Sequence, residues 1–182
     1  MEPSTLADDP RSAARLALVR EHVKGENAHD LDAIMATFGN AAHYEDEPWG
    51  ERHTGRDGVR AYYEGLMRSV PDLEIDVQRE HVTADHVILE VIIRGTHTGT
   101  WRGLPGTGRI LAIPLCGIFT FDGNDRLASE RIYYDRGTVL RQLGVFHDPE
   151  SLVGRLTTVL THPITVVRLA LRRLTSIVRP PR

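Results

Sequence analysis

Apolar residues recur at helical spacing in three segments of the first 70 residues. A stripe between residues 12 and 24 predicts an amphipathic helix. Asp30 is a suitable N-cap for a second, shorter helix that ends near Gly39. A third helix is predicted from residue 56 or 57 to residue 69, with Pro71 as the stop signal. The N-terminal part of the chain is therefore expected to be helical.

The hydrophobic period then changes to two, which is typical of strands. Strands are predicted at residues 73–77, 86–94, 109–121 and 127–134. A shorter strand is predicted at residues 41–47, between the second and third helices, and a loop at 48–58. Helices followed by hairpin-linked strands predict an α+β fold, in which a curved antiparallel sheet wraps against the helices.

The last 32 residues have a different pattern from the rest of the chain. Apolar residues recur at three-four spacing from Val153 to Val178, which predicts an amphipathic helix broken near Pro163. We therefore divide the chain into a domain at residues 1–148 and a helical tail at 149–182. Arg155, His162 and Arg168 interrupt every long apolar window, so a transmembrane span is not expected.

Charge is distributed unevenly between these two parts. All 25 acidic residues lie at or before Glu150, and six arginines follow it, so the body carries −9 and the tail +6. An acidic body argues against nucleic-acid binding. The tail could lie on a membrane surface through residues 151–179, or pack on its own acidic domain or on a second subunit; charge attraction favours packing.

Composition excludes several classes of protein. The chain has 182 residues, of which 41% are hydrophobic and 26% charged, as in ordinary globular domains. Cys116 is the only cysteine, so no internal disulfide can form. His43, Asp46 and His53 are close in sequence but fit no metal-ligand spacing, and no metal is expected. The N-terminus has no apolar signal segment, which favours a cytoplasmic location, with membrane-surface association through the tail as the alternative.

Four stretches carry a more specific signal. They are GRDGVRAYY at 55–63, GTHTGTWRGLPGTGR at 95–109, FTFDGNDRL at 119–127 and YYDRGTVLRQLG at 133–144. In this order they resemble the NTF2-like superfamily, and within it the SnoaL-like group of polyketide and ester cyclases, with a more distant similarity to ketosteroid isomerases. The resemblance covers about residues 12–146. It implies a cone-shaped domain with a mostly apolar pocket, proton-transfer chemistry without a cofactor, and homodimerisation through the outer face of the sheet.

The resemblance also implies catalytic positions. Asp46 matches the base of the isomerases, although it could instead be a solvated or loop-capping carboxylate. The isomerases' oxyanion donors align with His22, which can donate a hydrogen bond, and with a position near Gly117, which has no side chain to do so. The acid/base aspartate and histidine of the cyclases align with Ile132 and Ile118, two positions that face the pocket in the family. Both are apolar here, so that pair is missing.

Asp135 and His97 complete the catalytic candidates. For Asp135, capping of the short helix predicted at residues 138–143 or pairing with an arginine is favoured over a catalytic role. His97 could act as a near-neutral acid or base, or pack at a bend made by its neighbouring glycines. The side chains expected to line the pocket or its mouth are Tyr44, Trp49, Tyr62, Tyr63, Trp101, Ile118, Ile132 and Tyr134.

The leading functional hypothesis is a cyclase or isomerase, with lyase chemistry close to both, that acts on a hydrophobic carbonyl compound by proton transfer. It expects Asp46 to be buried, with a raised pKa, near a hydrogen-bond donor. A non-catalytic binding protein for a small hydrophobic ligand instead expects a sealed apolar pocket and a solvated or ion-paired Asp46. A third alternative, epoxide hydrolysis, would need an Asp-Arg-Asp trio such as Asp46, Arg94 and Asp135.

Overall fold

A computed structural model describes residues 9–148, 150–165, 167 and 168. The backbone divides into two compact units, one that ends at Leu143 and one that begins at Gly144. The first unit contains all six strands and the first four helices, in an α+β arrangement. The α+β class predicted from the sequence is therefore confirmed.

The second helix begins after Asp30, the N-cap that the sequence predicted, and the first helix begins after Asp9, which was not predicted as a cap. Asp9 accepts a hydrogen bond from the Ser12 N–H at 3.0 Å at the start of the first helix, and Asp30 accepts from Asp32 and Ala33 at the start of the second. The bounds are α1 Pro10–Asn27, α2 Leu31–Thr37, α3 Gly55–Ser69 and α4 Arg136–Gln142 in the first unit, and α5 Leu152–Thr161 in the second.

The sheet has six strands in the order β2-β1-β6-β5-β4-β3. Their bounds are β1 Phe38–Asp46, β2 Glu51–Thr54, β3 Glu74–Val82, β4 His86–His97, β5 Arg109–Phe121 and β6 Leu127–Tyr134. All neighbouring pairs are antiparallel except β1 and β6, which run parallel. The predicted loop at 48–58 was wrong in part, because it contains a 3-10 turn at Glu47–Trp49, the strand β2 and the start of α3.

One apolar core fills the first unit. It joins side chains of the helices, such as Val19, Ile34 and Val59, to side chains of the sheet, such as Leu89 and Leu127, all at most 2% exposed. Along β5 the odd-numbered residues Leu111 to Phe119 belong to this interior or to its cavities, because successive strand residues face opposite sides.

The second unit is described through α5 and a few residues beyond it. Ser151 is the N-cap, and its hydroxyl accepts a hydrogen bond from the Gly154 N–H at 2.9 Å. Within the described residues, no helix has the length and apolar character needed to cross a membrane.

Candidate active site

A cavity of about 70 Å³ lies in the first unit, between α3, α4 and the inner face of the sheet. Its apolar wall includes Leu66, Val70, Ile93, Leu111, Ile113 and Ile132. Its polar positions include Tyr44, Tyr62, His97, Trp101 and Tyr134. An adjoining cavity of about 30 Å³ shares Tyr44, Leu66 and Ile132 with the first and extends to Glu26 and Glu130. The predicted apolar pocket with a few polar groups is therefore present.

Asp46 lies at the end of β1, beside the wall of this cavity. Its side chain is 1% exposed and accepts hydrogen bonds from the Tyr134 hydroxyl at 3.1 and 3.2 Å and from Arg102 Nη2 at 2.7 Å. Burial raises the pKa of Asp46, and Arg102 and Tyr134 oppose that effect only in part. The parallel register that pairs Asp46 with Ile132 places the carboxylate near Tyr134, which stands between Asp46 and the cavity.

The environment of Asp46 agrees in part with each of the two functional hypotheses. The enzyme hypothesis expects a buried Asp46 with a raised pKa, and that is found. The binding-protein hypothesis expects an ion-paired Asp46, and the contact with Arg102 is such a pair. Arg102 was not among the predicted site residues, although its place directly after Trp101 in the glycine-rich loop at residues 98–108, between β4 and β5, was a signal.

His97 presents a hydrogen-bond donor to the cavity. The ring is 1% exposed, and its Nδ1 accepts a hydrogen bond from the Thr107 N–H at 3.3 Å. Burial lowers the pKa of His97, so the ring is neutral. The Thr107 hydroxyl also lies 3.1 Å from Nδ1, but the Thr107 N–H can only donate to this nitrogen, which favours the tautomer with the proton on Nε2. Nε2 has no hydrogen-bond partner among the described residues, and His97 lines the cavity. A buried donor without a partner is an available site for an oxygen of a ligand.

His22 is the centre of a buried polar cluster at the second cavity. Its Nε2 lies 3.2 Å from Glu130 Oε2 and 3.7 Å from Glu26 Oε2, and Tyr63 donates to Glu130 at 2.5 Å. The Thr37 hydroxyl donates to a backbone carbonyl, so it accepts from His22 Nδ1 at 2.8 Å. His22 Nδ1 therefore carries a proton, and the Tyr63 hydroxyl directs its own proton to Glu130. A hydrogen bond between His22 Nε2 and Glu130 then needs one further proton, on either the ring or the carboxyl group.

The pKa values in this cluster agree with that requirement. Burial raises the pKa of Glu26 to about 8, with His22 acting in the opposite direction. Burial lowers the pKa of His22, but Glu26 and Glu130 outweigh it and the net shift is upward. The cluster therefore retains protons at neutral pH. The three ligand atoms of His22, Glu26 and Glu130 also lie within 4.8 Å of one another and could hold a metal ion.

His22 was among the predicted site residues, whereas Glu26 and Glu130 were not. Glu26 follows His22 by four residues, one helical turn, which places both on the same face of α1. Glu130 precedes Ile132 by two residues in β6 and shares its face. Both positions could thus have been inferred from His22 and Ile132.

Two tryptophans and Arg102 form a stack at the edge of the cavity. The Trp49 and Trp101 rings meet edge to face at 5.2 Å, and the Arg102 guanidinium lies 4.5 Å from the first ring centroid and 5.0 Å from the second. Arg102 also pairs with Glu51 on β2. Trp101 lines the cavity and Trp49 lies behind it, so the stack connects the glycine-rich loop to Asp46.

Four of the sequence predictions need correction. Ile118 lies on the opposite face of β5 from Leu115 and Gly117, because strand residues alternate. Trp49 and Tyr63 lie behind the wall, Trp49 in the stack and Tyr63 in the His22 cluster. Asp135 is exposed and caps α4 by accepting from the Gly137 and Thr138 N–H groups at 2.8 and 3.0 Å.

The cap and its arginine partner Arg141 hold the pKa of Asp135 below its usual range. The trio drawn for epoxide hydrolysis is also not assembled. Arg94 pairs with Asp76 at 3.6 Å instead of with Asp46. The remaining lining predictions, Tyr44, Tyr62, Trp101, Ile132 and Tyr134, all lie in the cavity wall.

Solved structures share this fold at low sequence identity. The AclR protein of Streptomyces galilaeus, provisionally described as a hydroxylase, has a TM-score of 0.67 and 23% identity over 78% of this chain and 92% of its own. A provisionally named SnoaL-like polyketide cyclase from Jannaschia sp. CCS1 has a TM-score of 0.69 and 20% identity over 74% of this chain and 94% of its own. IdmH of Streptomyces antibioticus, provisionally described as a polyketide cyclase, has a TM-score of 0.61 and 22% identity over 72% of this chain and 99% of its own.

These likenesses show the fold alone. No curated protein matches the sequence. A family model does match it, over residues 16–143, which contain the cavity, Asp46, His97 and the His22 cluster. The chain belongs to the family of SnoaL-like polyketide cyclases.

Proposed function

We propose that the protein is a cofactor-free enzyme that acts on a hydrophobic carbonyl compound by general acid/base proton transfer, as a cyclase or isomerase. The observation that carries the proposal is that one apolar cavity has both a candidate base and a candidate hydrogen-bond donor beside it. Asp46 is a buried carboxylate whose pKa is raised, in contact with the cavity through Tyr134. His97 lines the same cavity, and its Nε2 has no hydrogen-bond partner in the part of the chain that the structure describes.

The proton would move through Tyr134. As the Tyr134 oxygen takes a proton from a carbon next to the substrate carbonyl, its own proton passes to Asp46 along the existing hydrogen bond. The electrons of the C–H bond become an enolate, whose oxygen accepts a hydrogen bond from His97 Nε2. Return of the proton to another carbon gives an isomer. Alternatively, the enolate carbon attacks a second carbonyl and closes a ring, and the proton held on Asp46 returns through Tyr134 to the alkoxide oxygen that this attack creates.

The cavity restricts the substrate. Its walls are mainly aliphatic and aromatic, which favours an uncharged hydrophobic compound. A volume of about 70 Å³ is smaller than the ~150 Å³ of an apolar cavity that binds benzene. A ligand with one or two rings would therefore have to displace side chains at the edge, and the Trp49–Trp101–Arg102 stack is the group that borders it.

Proton transfer can be tested without knowing the natural substrate. We would follow exchange of the acidic C–H protons of 2-tetralone in D2O by NMR, for the parent protein, Asp46→Asn and the exposed control Asp135→Asn. The proposal expects faster exchange with the parent and Asp135→Asn than with Asp46→Asn. Exchange at the rate of buffer with all three proteins would count against it.

Ligand binding without catalysis is the second candidate, and the Asp46–Arg102 ion pair favours it. The phenol 2-naphthol mimics an enolate and separates the two functions. An enzyme should bind 2-naphthol with a change in the Asp46 carboxyl titration and also exchange 2-tetralone. A binding protein should take up 2-naphthol while Asp46 keeps its titration and 2-tetralone is not exchanged.

A further inference from the structure

We propose that the tail binds the surface of an anionic membrane through the apolar face of α5. Exposed large hydrophobic side chains concentrate there. Among the described residues twelve such side chains are exposed, and seven of them lie between Leu152 and Val167. Leu152 is 85% exposed, Leu160 70% and Ile164 69%. A contiguous exposed apolar surface of this kind marks an interaction site.

These side chains lie on one face of the helix. At 100° per residue, the apolar residues of α5 fall within one stripe of about a third of the circumference. They are Leu152, Val153, Leu156, Val159 and Leu160. The opposite face carries the threonines at 157, 158 and 161, whose hydroxyls donate to backbone carbonyls one turn earlier. A helix with this division can lie flat at an interface, with one face in the acyl region and the other in water.

Charge identifies the surface as anionic. From residue 151 onward the chain has six arginines and no acidic residue, and Arg155 flanks the apolar stripe. Each arginine near a negatively charged leaflet adds to the attraction. Pairing of one tail with another would bring arginine against arginine without a carboxylate in either tail, which disfavours that form of self-association. Lipid phosphates supply the missing negative charge.

Vesicle binding tests the proposal with the full chain. We would measure co-sedimentation with vesicles of phosphatidylcholine alone and of phosphatidylcholine mixed with phosphatidylglycerol. The protein is expected to bind the mixed vesicles, and this binding should weaken as the salt concentration rises. Binding to vesicles of phosphatidylcholine alone should be much weaker. Removing one leucine from the apolar face of α5 should weaken vesicle binding by about tenfold, because that side chain would be buried in the membrane surface.

Matched substitutions locate the binding surface. Leu160→Ser should lose about tenfold in affinity for the mixed vesicles. Ile110→Ser, which removes an equally exposed side chain from the sheet (77% against 70%), should bind like the parent. Because both side chains are exposed, neither change is expected to unfold the protein, and circular dichroism checks this.

Three results would overturn the proposal. The first is no binding to mixed vesicles. The second is binding that Leu160→Ser and Ile110→Ser reduce equally. The third is a self-associated chain in sedimentation velocity that Leu160→Ser dissociates while vesicles are not bound, since the apolar face would then bind a second copy.

Discussion

At the scale of single residues, Arg102 sets how far burial can raise the pKa of Asp46. The guanidinium side chain is 18% exposed and the carboxylate 1%, so the pair is only partly screened by water. We expect Arg102→Gln to raise the pKa of Asp46 further, because it removes the positive charge and leaves burial. A carboxyl-detected NMR titration measures this.

The same substitution should change stability with a definite sign. A carboxyl group whose folded pKa is raised stabilises the fold fully below its unfolded pKa of about 3.9, and the contribution is lost as pH rises through the folded pKa. Arg102→Gln should therefore cost on the order of 2 kcal/mol at pH 7, and less at pH 4. Arg102→Lys, which keeps the charge, is the control. An equal loss at both pH values would contradict this account.

His97 gives a second prediction at this scale. His97→Phe should weaken binding of 2-naphthol by about tenfold, since one hydrogen bond from a buried donor is lost. His97→Gln retains an N–H donor on a side chain of similar reach and should recover part of the affinity. Fluorescence titration measures both. If phenylalanine and glutamine bind the phenol equally well, His97 is part of the packing and not the donor.

At the scale of elements, the His22 cluster links α1, α3 and β6 through titratable groups. Glu26 has a pKa of about 8 and the pKa of His22 is also raised, so the fold holds protons that the unfolded chain releases above its own pKa values. The contribution of this cluster to stability is then greatest below the unfolded pKa values of its groups and falls as pH rises toward about 8, by up to about 1.4 kcal/mol per pH unit for each proton.

Glu26→Gln should flatten that pH dependence between pH 5 and 8, because glutamine does not titrate. Urea unfolding at several pH values gives the slope. Glu21→Gln is the matched control, since Glu21 lies on the same helix but its side chain is 67% exposed. If the free energy of unfolding depends on pH with the same slope in both variants, Glu26 does not contribute to the pH dependence.

The glycine-rich loop makes another prediction between elements. The Gly99 N–H donates to the Ser69 carbonyl at 3.0 Å, and a Cβ at this position would lie 2.0 Å from the Arg68 oxygen. Gly99→Ala should therefore destabilise the protein by about 1–3 kcal/mol and weaken 2-naphthol binding, because the loop carries Trp101. Gly65→Ala meets no atom within 4 Å and should be neutral or stabilising. Thermal unfolding compares the stability of the two variants. Equal changes in melting temperature would show that the contact between a Cβ at position 99 and the Arg68 oxygen does not destabilise the protein.

Local pattern explains which elements were predictable. The long helices and the strands after residue 73 have a clear apolar period, and the structure contains them. The strand β2 has the sequence Glu-Arg-His-Thr, with no apolar face, and its pairing with β1 is not visible in such a pattern. Parallel pairing of β1 with β6 likewise joins segments about 80 residues apart, which no local period encodes.

The site was predictable only in part for the same reason. Asp46 and His22 came from the family resemblance, and His97 came from its place in the stretch at residues 95–109. Their partners come from distant segments: Arg102 is 56 residues from Asp46, and Glu130 is 108 residues from His22. Alternation along a strand would have placed Glu130 beside Ile132, but it could not show that α1 brings His22 to it.

At the scale of the whole molecule, two expectations stay predictions. Homodimerisation through the outer face of the sheet follows from the family resemblance, and a cytoplasmic location from the N-terminal sequence. The division of charge, acidic body and basic tail, is a property of the sequence and makes any contact between them sensitive to salt.

The tail and the cavity should be separable in function. All of the residues that we place in the acid/base site and in the His22 cluster lie between His22 and Tyr134, within the unit that ends at Leu143. A chain that ends after Asp148 should therefore bind 2-naphthol and exchange 2-tetralone like the full chain, and keep the same slope of stability against pH, while it loses binding to anionic vesicles. Titration, NMR exchange and urea unfolding of the two chains test this. If the short chain folds but no longer binds the phenol, the tail contributes to the site, and the cavity of the first unit is only part of it.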